Sequence, residues 1–240
     1  MSSRKYLKKS VAGKSVMGRD IFVVSSEPDS AKPSLVLIAR QHPPEIPGGT
    51  IGFEAFFEEV VSDSDIAKAF RSRFNLYVFP LLNPDGADEG QWRHNANGAD
   101  LNRDWVDFTQ PETRTARDFI VDKVEKEGKE IWFGADFHTS YSGPYLLIYQ
   151  LENERKVKTR IIPNLIKEST GSDGEIARYS RRDQELPYCY NWFFQAFAAE
   201  AVTYEDGDEV DRSIIRTRGR TYAKNLMKVM LDQLNTLAPE

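Results

Sequence analysis

Residues 34–49 read SLVLIARQHPPEIPGG, an apolar run that ends in a turn containing a histidine and a glutamate. His42 and Glu45 are three residues apart, a spacing that would place them on one face of a helix. Pro43 and Pro44 exclude a helix here, because proline breaks a helix interior and pushes the preceding residue toward an extended conformation. The sequence therefore predicts a stiff turn at the carboxyl end of a buried strand, the edge at which open α/β sheets bind ligands.

The segments around this strand alternate between strand patterns and helix patterns. Apolar runs typical of strands lie at 21–24, 34–39, 76–82, 131–138, 145–149 and 201–204. Helical patterns lie at 50–61, 66–70, 111–127, 153–168, 192–199 and 221–237, and long loops are expected at 83–109 and 169–186. This alternation indicates an α/β fold with a mixed, mostly parallel sheet and helices on both faces. Because no linker or repeat interrupts the chain, residues 1–240 are predicted to form a single domain.

The bulk composition narrows the class of protein. The chain is 40% hydrophobic and 29% charged, as in ordinary soluble globular domains, and its net charge of -5 gives no reason to expect nucleic acid or an anionic membrane as a partner. No window approaches the ~18 apolar residues of a membrane span, and residues 1–15 lack the apolar core of a signal peptide. Cys189 is the only cysteine, so no internal disulfide can form, which fits a reducing compartment. We expect a cytoplasmic protein.

An imidazole and a carboxylate held in one turn suit zinc. A catalytic zinc site has three protein ligands and leaves one position for water, so a further histidine is required. The chain offers two others: His94 lies in the long loop, whereas His138, like His42, follows a predicted buried strand. Taken alone, His42 and Glu45 could equally belong to an ordinary surface turn without a metal. The repeated strand-end position favours His138 as the third ligand.

Six short motifs follow one another between residues 13 and 205. They are GKSVMGR at 13–19, HPPE at 42–45, NPDG at 83–86, RHNANGADLNRDW at 93–105, HTSYS at 138–142 and TYE at 203–205. In this order they resemble the motifs of the zinc carboxypeptidase family, the carboxypeptidase A-like metallopeptidases. The compact block from Arg93 to Asn102 is similar to that of the short bacterial-type members. The family's fold matches the α/β architecture expected above.

The resemblance implies one zinc ion per chain, bound by His42, Glu45 and His138. Hydrolysis of an amide by zinc-activated water also requires a carboxylate that takes a proton from the water and later delivers it to the leaving amine. Glu205, at the end of a predicted strand, is the candidate, and the resemblance implies that it is the catalytic base. Arg93 stands where the family places the donor to the tetrahedral oxyanion, a contact typically worth ~3–4 kcal/mol.

The resemblance also implies a substrate-binding pair and an orienting carboxylate. Asn102 and Arg103 stand where the family binds the terminal carboxylate of its substrate, a task that suits a planar, bidentate guanidinium. Asp100 would orient His42 through the second ring nitrogen of that histidine. Asp136, two residues before His138, is a further candidate for such a contact, or else a satisfied buried aspartate.

The expected activity is hydrolysis of a peptide or amide bond next to a free C-terminal carboxylate. A related zinc amidohydrolase (a cell-wall peptide amidase, a deglutamylase or an N-acyl amino acid deacylase) stays open, although the deacylases usually carry His-Gly-x-Glu. A non-catalytic binding module is the alternative of a different class. Tyr179, Tyr188 and Tyr190 lie where the family has a mobile tyrosine, and no motif selects among them. The sequence assigns neither a preference for particular substrate side chains nor an oligomeric state.

Overall fold

The computed structural model describes residues 7–237 except 27–28, 30–31, 150–156, 174, 177 and 183–185. The strands are β1 (Leu7–Lys14), β2 (Asp20–Ser26), β3 (Ser34–Ala39), β4 (Asn75–Phe79), β5 (Ile131–Ser140), β6 (Tyr145–Tyr149), β7 (Arg178–Arg182) and β8 (Glu200–Gly207). The helices are α1 (Phe53–Val60), α2 (Asp65–Arg73), α3 (Pro84–Asp88), α4 (Pro111–Glu125), α5 (Ile161–Ser169), α6 (Cys189–Phe197) and α7 (Arg212–Leu237). A π-helical turn spans Pro47–Gly52, and a 3₁₀ turn spans Leu101–Arg103.

The described strands form one eight-stranded sheet with the order β1-β2-β4-β3-β5-β8-β6-β7. The pairs β4–β3, β3–β5, β5–β8 and β6–β7 are parallel, and the other three pairs are antiparallel. The prediction of a mixed, mostly parallel sheet is therefore confirmed. The parallel centre needs crossover helices, and these cover both faces of the sheet.

Aromatic packing shows how the two faces are covered. On one face, Phe119 of α4 packs edge-on against Tyr77 of β4, and the ring of Phe193 in α6 lies directly on β5. A Cβ on Gly134 would be only 2.7 Å from that ring, so glycine is required for this close approach. On the other face, Phe137 of β5 packs against aromatic rings of α1 and α7. Helices α2 and α5 pack against α7 and so lie on this second face.

The two central strands, β3 and β5, position residues of the candidate site at their carboxyl ends. β3 is fully buried along its length, as its uninterrupted apolar run predicted, and it lies parallel to β5 with Ile38 beside Asp136. Beyond β3 the chain turns at Arg40, which has a φ of 59°. The Arg40 guanidinium donates to Thr50 Oγ1 at 2.7 Å and to the carbonyl of Pro43 at 2.7 Å, and these bonds brace the turn.

Several predicted boundaries were wrong for identifiable reasons. The segment 169–186 was expected to be a loop, but it contains β7, and β1 was not predicted at all. Both are edge strands of the sheet, and neither sequence, LKKSVAGK in β1 or RYSRR in β7, carries a continuous apolar run. The loop 83–109 contains α3, whose first turn is capped by the Asn83 side chain accepting from the Gly86 N–H at 2.9 Å. The predicted helix 153–168 begins at Ile161, and residues 153–156 lie outside the described residues.

Two further differences concern helix and strand ends. The final helix begins at Arg212 instead of residue 221. The added segment RSIIRTRGR has two adjacent isoleucines but no helical apolar period, so the sequence pattern did not predict it. Strand β4 ends at Phe79, directly before Pro80, whose ring removes a ladder donor. Among the described helices, α7 included, none combines the length and the apolar character needed to cross a membrane.

Candidate metal centre and cleft

His42, Glu45 and His138 converge at the carboxyl edge of the sheet. Nδ1 of His42 lies 2.6 Å from Oε1 of Glu45, and Nδ1 of His138 lies 2.7 Å from Oε2 of the same carboxylate. The two Nδ1 atoms are 3.1 Å apart, although the histidines are separated by 96 positions in the chain. These three side chains therefore present two imidazole nitrogens and a carboxylate to one point, the donor set that zinc prefers.

Each histidine is oriented by a carboxylate through its other ring nitrogen. Nε2 of His42 lies 2.9 Å from Oδ1 of Asp100, and Nε2 of His138 lies 2.7 Å from Oδ2 of Asp136. Such contacts fix the ring orientation and the tautomer, leaving Nδ1 free for a metal. The structure thus fits zinc at this site, and the contact between Asp136 and His138 favours the orienting interpretation of that aspartate.

The imidazoles and carboxylates of the cluster shift one another's pKa values. Burial raises the pKa of Glu45, but the two imidazoles outweigh burial and hold this pKa well below its usual range. Burial lowers the pKa of His138, yet the carboxylates of Asp136 and Glu45 outweigh it and raise this pKa well above the ordinary value. For Asp100, the hydrogen bonds from His42 and Arg93 outweigh burial and lower the pKa. The raised pKa of His138 favours its protonated form in the metal-free cluster, and metal binding would displace that proton.

The turn that carries Glu45 is docked directly onto the end of β5. The backbone N–H of Gly48 donates to Thr139 Oγ1 at 2.7 Å, and the N–H of Thr139 donates to Oε2 of Glu45 at 3.2 Å. A Cβ on Gly48 would lie 1.8 Å from the carbonyl oxygen of His138. The glycine therefore allows the backbone contact that brings the two halves of the cluster together.

Glu205 lies beside the cluster because β8 pairs with β5. The ladder places Glu205 directly opposite His138, so the two side chains emerge from the same face of the sheet. Oε2 of Glu205 is buried and accepts no hydrogen bond within the described part of the chain. Burial raises the pKa of this carboxyl to about 7, with repulsion from Glu45 adding to the effect and His138 opposing it. A half-buried carboxyl whose Oε2 is buried and has no partner within the described residues is suited to accept a proton.

The predicted arginines and Asn102 lie in the same cleft, which encloses about 240 Å³. Its walls include His42, Glu45, Arg93, Asn102, Arg103, His138, Leu147, Tyr188, Tyr190, Thr203 and Glu205. Nε of Arg93 donates to Oδ2 of Asp100 at 2.7 Å, which links this arginine to the carboxylate that orients His42. Asn102 is buried, and its Oδ1 accepts from the N–H of Cys189 at 3.0 Å. His94 is exposed and lies outside the cluster of His42, Glu45 and His138.

Sequence reasoning missed several residues of this site. Gln41 is fully buried, donates through Nε2 to Asp136 at 2.6 Å, and accepts from the indole N–H of Trp105 at 2.8 Å. Its position next to His42 was the only available signal. Thr203 could have been found from the two-residue period of β8, which places it on the same side as Glu205.

This fold and this cluster define a class: α/β proteins that bind a metal ion through two histidines and a glutamate at the carboxyl edge of a central sheet. The zinc carboxypeptidase family model, of peptidase family M14, matches residues 3–225. The chain therefore belongs to the zinc carboxypeptidase family, and the family's zinc agrees with the donor set formed by His42, Glu45 and His138.

Individual relatives support the family and the fold. Cytosolic carboxypeptidase 3 of Mus musculus is 30% identical over 135 residues, which cover 55% of this chain and 13% of that protein. A metallo-carboxypeptidase from Burkholderia cenocepacia has a similar structure, with a TM-score of 0.76 and 20% identity, covering 98% of this chain and 67% of that one. A metallo-carboxypeptidase from Pseudomonas aeruginosa, in complex with (2-guanidinoethylmercapto)succinic acid, gives a TM-score of 0.75 and 24% identity over 96% of this chain and 66% of that one. These structures share the fold, whereas this chain spans only a small part of the curated relative.

Proposed function

We propose that this protein is a zinc-dependent carboxypeptidase, which hydrolyses a peptide or amide bond next to a free C-terminal carboxylate. The observation that supports this most directly is the joint presence, in one cleft, of the three-ligand cluster and a buried carboxylate oxygen on Glu205 that has no partner within the described residues. A metal site with a purely structural role has no need of such a carboxylate. We treat residues 1–240 as a single catalytic domain, since the described strands share one sheet.

A zinc ion bound by His42, Glu45 and His138 would polarise the substrate carbonyl and make water a stronger acid. Glu205 is the proposed general base: its Oε2 takes the proton from the attacking water and then delivers it to the nitrogen of the leaving amine. A pKa of about 7 suits both halves of this transfer, because the carboxylate is basic enough to accept the proton and acidic enough to release it.

Arg93 and Arg103 are proposed to hold the two negative charges of the reacting substrate. Arg93 is anchored through Nε to Asp100, which leaves its two Nη groups to donate to the oxyanion that forms at the scissile carbonyl. Arg103, with Asn102 next to it, would bind the terminal carboxylate. A planar guanidinium binds a carboxylate with two parallel hydrogen bonds, so the free chain end becomes the recognised feature of the substrate.

A cytosolic site of action is also part of the proposal. Its support is the name of the curated relative, cytosolic carboxypeptidase 3, together with the single buried thiol of Cys189, which is compatible with a reducing compartment. The side-chain preference at the substrate's C-terminus is a separate question and is best answered by a peptide-library digest.

The decisive experiment compares Glu205→Gln with the wild-type protein, both loaded with zinc. We expect turnover of a blocked dipeptide with a free carboxylate to fall by about 10²–10⁴-fold, because a proton acceptor is lost, while zinc content stays at one equivalent. Glu209→Gln, an exposed glutamate four residues further along, is the matched control and should keep full activity. Murein peptides and N-acyl amino acids are assayed in parallel, and preferential hydrolysis of either would replace the carboxypeptidase by a related amidohydrolase. Loss of zinc from Glu205→Gln, or unchanged turnover, would contradict the role of Glu205.

A further inference from the structure

The ring of Tyr188 lies against the guanidinium of Arg103 in the cleft. Cζ of Arg103 is 4.4 Å from the centroid of this ring, a cation–π contact. The same ring is stacked on Tyr190, with centroids 5.7 Å apart and planes inclined by 24°. We propose that Tyr188 is a positioning residue that holds Arg103 ready for the substrate's free carboxylate, an inference that depends on the proposed function of Arg103.

Tyr188 is held by backbone hydrogen bonds and by a buried neighbour. It stands immediately before α6, its N–H donates to the carbonyl of Leu186 at 2.8 Å, and its carbonyl accepts from the N–H of Trp192 at 3.2 Å. Tyr190, against which it stacks, is only 1% exposed and is therefore fixed in the interior. A ring held by this backbone and this buried neighbour gives the guanidinium a fixed surface.

The segment that carries Tyr188 is also joined to the segment that carries Arg103. Oδ1 of Asn102 accepts from the N–H of Cys189 at 3.0 Å, so the residues before Arg103 and after Tyr188 are hydrogen bonded to each other. The cation–π contact is therefore made between two segments whose separation is already set. This arrangement distinguishes the pair from a chance contact of two surface side chains.

Apart from the ring of Tyr188, few groups of the described chain contact the Arg103 guanidinium. Its side chain is 44% exposed, and within the described residues its guanidinium donates through Nη1 to the carbonyl of Asn102 at 2.9 Å. The carboxylate of Asp100 lies 3.9 Å away and is already bonded to His42 and Arg93. A half-exposed arginine that is not already held in place must be ordered when the substrate binds, and this ordering weakens binding. Stacking on Tyr188 orders the guanidinium beforehand and leaves its edge free for a carboxylate.

The test uses the zinc-loaded full chain and two forms of one blocked dipeptide, one with a free carboxylate and one amidated. Tyr188→Leu should raise KM for the free-carboxylate form about two- to fivefold, the size of one cation–π contact at a partly exposed site. kcat should stay within about twofold, because the terminal carboxylate is bound equally in ground state and transition state. The amidated form should be unaffected, and Tyr188→Phe, which keeps the ring, should behave as the wild type.

Two controls separate positioning from a structural role. Phe22→Leu removes the ring below the Lys9 ammonium, a cation–π contact of 3.6 Å on an outer strand, and should leave both kinetic constants unchanged. In an Arg103→Ala background, Tyr188→Leu should have no further effect on KM, because there is no guanidinium left to position. Tyr188→Met, which fills a similar volume, replaces the leucine variant if the latter is unfolded by circular dichroism.

The inference is overturned if Tyr188→Leu leaves KM unchanged, weakens both substrates equally, or adds its full effect to Arg103→Ala. Failure of the proposed function would look different: the zinc-loaded wild type would hydrolyse neither dipeptide. In that case calorimetric binding of the free-carboxylate dipeptide to wild type, Tyr188→Phe and Tyr188→Leu still decides the role of Tyr188. Equal affinity in all three would reject it.

Discussion

Replacement of Gly48 by alanine tests how the two halves of the metal cluster are joined. An added Cβ would lie 1.8 Å from the carbonyl oxygen of His138, whereas real Cβ contacts essentially never fall below 3.0 Å. The missing separation is about 1.2 Å, and both atoms belong to backbone or its first branch, so neither can rotate away. The turn that carries Glu45 must therefore move away from β5.

The cluster cannot absorb such a movement. Glu45 lies on one side of the new contact and His138 on the other, and their ligand atoms are 2.7 Å apart. Metal–ligand distances tolerate changes of roughly 0.2 Å, several times less than the displacement required. We expect zinc affinity to fall by at least about 10–100-fold, the loss seen when a contact that supports a ligand is removed. Overpacking should also lower the free energy of unfolding by about 1–3 kcal/mol.

Gly49→Ala is the matched control because it adds the same methyl group at the adjacent position. A Cβ there would lie 3.3 Å from the carbonyl oxygen of Phe137, which a shift of a few tenths of an ångström relieves. Zinc affinity is measured by competition with a chromophoric chelator, and stability by urea denaturation of the metal-free protein. Equal zinc affinity in the Gly48 and Gly49 variants would refute the argument that backbone contact at Gly48 sets the ligand geometry.

Two further predictions concern the ligands and the buried acid. His42→Ala should abolish stoichiometric zinc binding, whereas His94→Ala should keep about one equivalent by elemental analysis; zinc loss from the second variant would show that the ligands are misassigned. In the metal-free protein, burial raises the pKa of Glu205 from 4.5 to about 7, so the folded state binds the proton more tightly than the unfolded state. The contribution of Glu205 to the free energy of unfolding should therefore fall as pH rises from about 4.5 to 7, and Glu205→Gln should remove this contribution in urea denaturation. Identical slopes would contradict the burial of this carboxyl.

Much of the site could be predicted because its residues stand at strand ends. His42, His138 and Glu205 each follow an apolar run, and the carboxyl ends of parallel strands share one edge of a sheet. The prolines after His42 further excluded a helix, so the turn was also predictable. The side chains that support the site could not be predicted. Gln41 donates to Asp136, and Tyr188 contacts Arg103. In both cases the partner lies far away in the chain, and no local pattern marks such a contact.

The sequence by itself determined the α/β class, the buried central strands and the residue types proposed as metal ligands, because apolar runs, proline turns and side-chain types act locally. Only the tertiary structure decided that β3 and β5 are neighbours, since strand order depends on how the helices cross the sheet. That adjacency brings two histidines 96 positions apart to within 3.1 Å of each other. Burial completes the site, because the pKa of Glu205 reaches about 7 only where the folded chain has removed water from its carboxyl group.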